Sequence, residues 1–79
     1  YLKMKKFGVI IWTLKPSEDI SIHEYNTEEQ AIEAAEMFWN HLTDKEKENV
    51  QEFSVVEGEF PKDEEIDFYG ITKVIKSYK

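Results

Sequence analysis

The chain has 79 residues, with 17 acidic against 10 basic side chains for a net charge of −7; 41% of the residues are hydrophobic, 14% are aromatic and none is cysteine. That length holds one domain, residues 1–79, and the apolar content suits a compact core rather than a disordered chain. The lack of cysteine excludes a disulfide framework and a thiolate metal site. All the basic residues are lysine, which counts against a sequence-specific DNA reader built on arginine's planar fork.

Charge is segregated along the chain. Residues 1–15 carry four lysines and no acid, residues 70–79 carry three lysines and no acid, and residues 16–69 carry all 17 acids with three lysines. No apolar run approaches the roughly 20 residues of a membrane span. "FGVIIWTL" follows lysines but lacks a small-residue cleavage site, so it reads as a strand and not a signal peptide. The expected location is cytoplasmic. Tyr1 is not methionine, so residues 1–3 are read as an expression remnant or a disordered end, with Met4 an alternative start.

In chain order, "KFGVIIWTL" (6–14) is rich in β-branched and aromatic residues. Phe7, Val9, Ile11 and Thr13 share one face, and Gly8, Ile10, Trp12 and Leu14 the other, which predicts a central strand. "KPSED" supplies turn chemistry. "ISIHEY" (20–25) alternates as a half-buried strand that completes a β-hairpin. Ser21, His23 and Tyr25 are expected on its uncovered face, opposite to Ile20 and Ile22.

The helix signal follows. Thr27-Glu28-Glu29-Gln30 is a capping box, and its acids suit the helix dipole. Ala31, Ala35, Phe38 and Leu42 form an apolar stripe, flanked by Ala34 on one side and by Ile32 and Trp39 on the other. Glu29, Glu33, Glu36 and Asn40 lie opposite, giving an amphipathic helix of about four turns. A second capping box, Thr43-Asp44-Lys45-Glu46, ends this helix near His41 or Leu42 and starts a short one at Asp44. His41 is then a helix-end histidine, not a ligand. "QEFSVVEGE" predicts a third strand over 51–57, ended by Gly58. "EFPKDEE" (59–65) reads as an acidic loop, and "IDFYG" as a short strand with Ile66 and Phe68 inward. In "ITKVIKSYK", Ile71, Val74, Ile75 and Tyr78 have helical spacing. Their β-branched content favours strand, and helix is the expectation.

The predicted fold is a two-layer α+β domain: an antiparallel sheet of three to four strands, with one main amphipathic helix packed on one face (β-β-α-α-β plus a C-terminal element).

No catalytic constellation emerges. The carboxylates are abundant, but solvent-facing or in loops, with nothing to shift a pKa. His23 and Glu24 are adjacent in a strand and point apart. "DEEID" (63–67) lacks the alternation and the turn glycine of a calcium loop. The three glycines are scattered, without a phosphate-binding loop. No cofactor, metal or enzymatic activity is expected. The lysines of the two termini (Lys3, Lys5, Lys6, Lys73, Lys76 and Lys79), with Tyr1, Trp12 and Tyr78 for stacking, make a nucleic-acid accessory protein an alternative, which the acidic middle opposes. A small enzyme or metal protein ranks third.

The stretch "EEQAIEAAEMFWNHLTDKEKENVQEFSVVEGE", within residues 20–59, resembles small α+β proteins of phages and mobile elements of Gram-positive bacteria. The resemblance brings no catalytic residues. It implies an accessory role exerted by binding another protein. The leading expectation is therefore a non-enzymatic interaction or regulatory module with an acidic binding face: Glu29, Glu33, Glu36, Glu57, Glu59, Asp63, Glu64 and Glu65. Its expected partner is a protein with a basic surface, and a homodimer through an edge strand or the open sheet face is a further expectation.

Overall fold

The computed structural model describes residues 2–79; Tyr1, the first of the expected remnant residues, lies outside them. In chain order it has β1 (Lys3–Thr13), β2 (Asp19–Tyr25), α1 (Glu28–His41), α2 (Asp44–Glu48), β3 (Val50–Pro61), a 3-10 turn (Phe68–Gly70) and β4 (Ile71–Ser77). The four strands form one sheet in the order β2-β1-β3-β4, and every neighbouring pair is antiparallel. Helix α1 packs on one face, the predicted α+β architecture.

Directly opposed residues of an antiparallel pair share a face. Val9 stands opposite His23 and Val55, and Ile11 opposite Ser21 and Phe53. These are helix-side positions, because Val9, Phe53 and Val55 form the core with Ala31, Ala35 and Val50. Ala31 and Ala35 are fully buried: their small side chains let the helix backbone lie close to the sheet. Phe53 fills the space beyond them.

The far face of the sheet is partly roofed by the chain itself. Ile10, Val56 and Phe60 point away from the helix, yet each is buried. The segment after Pro61 folds back across them. Ile66 is buried and lies against Gly8, where a Cβ would come 3.0 Å from the Ile66 Cδ1. The Ile66 N–H donates to Glu24 Oε1 at 3.0 Å, and the Lys6 ammonium donates to the Glu64 carbonyl. The Phe60 ring lies across Gly58 and Gly70. A Cβ on Gly58 would come 2.5 Å from both the Gly70 carbonyl and the Phe60 ring.

Several sequence expectations are corrected. β3 does not stop at Gly58 but runs through it to Pro61, since β1 continues opposite as far as Lys3. Gly58 marks a close approach, not a strand end. "IDFYG" is not a strand. Asp67 caps the 3-10 turn, its carboxylate accepting from the Tyr69 and Gly70 N–H groups at 2.9 and 3.2 Å; Ile66 is buried and Phe68 exposed. Residues 71–77 form a strand rather than a helix. The free side of β3 offers a pairing partner that rewards β-branched side chains over helical spacing. The faces of β2 are reversed: His23 and Tyr25 stand opposite Val9 and Phe7 on the helix side, and Ile20 and Ile22 on the other. Of the first capping box only half forms, with Thr27 Oγ1 accepting from the Gln30 N–H at 3.1 Å. The second is complete, at 2.9 and 3.1 Å.

Candidate functional site

The surface of this fold is set by how α1 sits on the sheet. Its β4 flank is sealed. The Trp39 ring lies 5.2 Å from Phe53 and 6.1 Å from Tyr78, and Phe53 and Tyr78 are 5.5 Å apart. Lys76 Nζ donates to Glu36 Oε1 at 2.9 Å and stands 4.9 Å from the centre of the Tyr78 ring. The hydrogen bond and charge of Lys76 hold the Glu36 carboxyl below its usual range. The same hydrogen bond raises the pKa of Lys76. The Tyr78 hydroxyl is enclosed and finds no hydrogen-bond partner among the described residues; burial pushes its pKa up, although the nearby Lys76 charge opposes this.

The β2 flank is open. Met37 is 59% exposed and Phe38 51%. Three adjoining clefts of about 380, 130 and 120 Å³ run between α1 and the β2–β1 side of the sheet. The first two share Tyr25 and Ala34, and the second and third share Ile11 and Phe38. Together they form one groove. Its floor and walls are mostly apolar, with Glu33 and Gln30 at one end and Lys15, Glu46 and Asn49 at the other.

The eight acidic positions singled out from the sequence do not lie on one surface. Glu29, Glu33 and Glu36 are exposed along the outer stripe of α1, and Glu36 is tied to Lys76. Glu57 lies 3.9 Å from Lys5, its side chain only 15% exposed, and Glu59 stands opposite Lys5. Asp63, Glu64 and Glu65 belong to the segment that crosses the far face. Asp63 and Glu64 border a cleft of about 740 Å³ with Leu2 and Met4. Glu65 borders a hollow of about 450 Å³ beside Ile22 and Glu24. Glu29 and Glu33 have no ion-pair partner among the described residues. α2 adds two further exposed acids, Asp44 and Glu48, interleaved with Lys45 and Lys47. Glu46 is occupied by its cap, and the Thr43 N–H holds its carboxyl below the usual range.

The terminal lysines are interleaved with acids. Lys5 and Lys73 flank β3, opposite Glu59 and Glu57, while Lys79 Nζ donates to the Lys47 carbonyl at 2.6 Å. Trp12, opposite Ile20 and Glu52, points away from the helix, and Tyr78 packs against Trp39 on the helix side. Tyr1, the third stacking candidate, lies outside the described residues. The two histidines stay apart: His23 lines the groove, and His41 Nδ1 lies 2.7 Å from the Met37 carbonyl in the last turn of α1. Among the described residues no group of three or more His, Cys, Asp or Glu is placed to hold a metal ion. No helix among them is long and apolar enough to cross a membrane.

The groove residues Tyr25, Met37 and Phe38 were missed as a surface in the sequence. One signal for them was available. Phe38 and Trp39 are consecutive, hence 100° apart on a helix, so a flat sheet can bury only one of them well. The chain matches no family model, no curated protein and no solved structure.

Proposed function

We propose that this chain is a cytoplasmic protein-interaction or regulatory module that binds a partner carrying a basic surface. Its binding face is the outer row of α1 and α2, with the apolar groove beside it. The observation that supports this most is the unequal use of charge. The ion-paired lysines are spent on Glu24, Glu36 and Glu57. Glu29 and Glu33 remain exposed and unpaired among the described residues, next to half-exposed Met37 and Phe38. Unpaired acids steer encounter with a basic partner, and a few apolar anchors supply the affinity. Glu29, Glu33, Asp44 and Glu48 are the acids this reading uses. Glu57, Glu59 and residues 63–65 lie on other surfaces, outside this reading.

The test is capture of partners from a lysate of the natural source at low and high salt, using the full chain and the double variant Glu29→Lys/Glu33→Lys. A basic protein that is retained at low salt, released at high salt and lost with the variant supports the reading. Retention that salt and charge reversal leave unchanged overturns it.

A further inference from the structure

The two edges of the sheet are protected unequally. The β4 edge carries Lys73 and Lys76, and its pairing with β3 is broken by two register shifts. Lysines and bulges are the usual means by which an edge strand avoids pairing with another chain. β2 has neither. Its sequence, DISIHEY, contains no lysine and no proline, and its register against β1 runs unbroken from Asp19 to Tyr25. Among the described residues, its backbone makes no hydrogen bond to anything but β1. A regular seven-residue strand therefore presents a row of unpaired N–H and C=O groups.

That bare edge is also the outer wall of the groove. An added strand beside β2 would continue the pleat. Its alternate side chains would turn toward α1, into the space lined by Tyr25, Ala34, Met37 and Phe38. The remaining side chains would lie beside Ile20, Ile22 and Glu24 on the far face. On the helix side of this edge stand two acids with no ion-pair partner among the described residues, Asp19 at one end of β2 and Glu33 on the groove rim beside Tyr25; the one lysine at the groove, Lys15, lines its far end with Glu46, and Glu24 on the other face lies 3.7 Å from Lys6. Neither β2 nor α1 contains a lysine.

We infer that β2 and the α1–β2 groove form a strand-addition site, which takes up an extended segment of a partner protein as a fifth strand. The segment has apolar side chains at its central helix-facing positions and lysine or arginine at the outer helix-facing positions, beside Asp19 and Glu33. Backbone hydrogen bonds to β2 give affinity, and the groove and its acidic rim select the side chains. A second copy of this chain is disfavoured as the occupant, because it would bring the unpaired acids Asp19 and Glu33 a second time to the same seam. This inference rests on the acidic interaction reading and narrows it to one edge and one class of partner.

The test is a backbone-amide NMR titration of the full chain with a panel of peptides about eight residues long, with valine, isoleucine or phenylalanine at the central alternate positions and lysine at the outer ones. Matched peptides N-methylated at alternate residues, and unstructured polylysine, serve as controls. The expected result is shifts at residues 19–25 and at Met37 and Phe38. Affinity should fall at least about tenfold on N-methylation, which removes strand hydrogen bonds, and also in the exposed-site variant Met37→Lys. Shifts confined to Glu29, Glu33 and α2, equal for polylysine, overturn strand addition and leave the acidic reading standing. Shifts along β2 that are indifferent to salt support strand addition while removing the acidic reading. No β2 shift from any peptide overturns the site. Concentration-dependent β2 shifts without peptide, with a dimer mass in sedimentation, assign the edge to a second copy and overturn a heterologous occupant.

Discussion

The two flanks of α1 are built from the same helix and the same sheet, yet they end differently. Toward β4, Trp39, Phe53 and Tyr78 interlock, and Lys76 bonds Glu36 across the surface. Toward β2, Phe38 and Met37 stand half-exposed over a groove. A single helix on a four-stranded sheet cannot cover it all, since a helix is about 10 Å across and each strand spans about 4.8 Å. The aromatic residues decide which side is covered. Stability is concentrated on one flank, and the other keeps a free surface at little structural cost.

The largest expected effect lies on the sealed flank. Phe53→Ala removes a fully buried ring at the meeting point of three aromatics and should cost about 3–5 kcal/mol in urea unfolding. The comparison is sharpest between neighbours in sequence. Trp39→Ala should cost about 2–3 kcal/mol and Phe38→Ala about 1 kcal/mol, because only the first ring is held on two sides. Equal costs would dissolve the distinction between the flanks.

Two smaller effects test each flank separately. Met37→Lys, on the open side, should leave stability within about 0.5 kcal/mol of the parent. Tyr78→Phe should also be neutral or slightly stabilising, since the hydroxyl it removes is enclosed without a partner among the described residues. A substantial loss with Tyr78→Phe would reveal a bond that organises the sealed flank.

The smallest effect is electrostatic and depends on pH. The folded-state pKa of Glu36 lies below its ordinary value of 4.5, so its contribution is present above that value and is lost as pH falls through the lowered one. Lys76 is raised above 10.5, so its contribution holds below that value and is lost as pH rises through the raised one. The stability difference between the parent chain and Glu36→Gln should therefore be flat across neutral pH and shrink toward both extremes. Both groups are exposed, so salt should reduce the difference further. A difference unchanged at pH 3 would remove the ion pair from the account of this flank.

Much of this fold was legible in local pattern. The alternation in residues 6–14, the alanine-rich stripe from Ala31 to Ala35 and the Thr43–Glu46 cap each depend on residues within a turn or a strand of one another. Those signals placed α1 and α2 correctly and found β1, which runs from Lys3 to Thr13 rather than over the expected 6–14. The acidic outer stripe of α1 was equally readable, because helical periodicity is local. The continuity expected between Glu36 and residues 57–65 was not, because it depends on where a distant loop folds.

What residue order settled is therefore the set of elements: their type, their amphipathic sides and their caps, all governed by contacts a few residues apart. What only packing settled is which side of each strand meets the helix and which partner each segment takes. β2 alternates cleanly, but alternation says only which residues share a face; the register with β1 turned His23 and Tyr25 toward α1. Residues 71–77 carry helical spacing in a strand-forming composition, and the open side of β3 decided between them. The groove has the same origin. It exists because Trp39 packs on Phe53 and Tyr78, partners 14 and 39 positions away, while Phe38 and Met37 stay half-exposed toward β2.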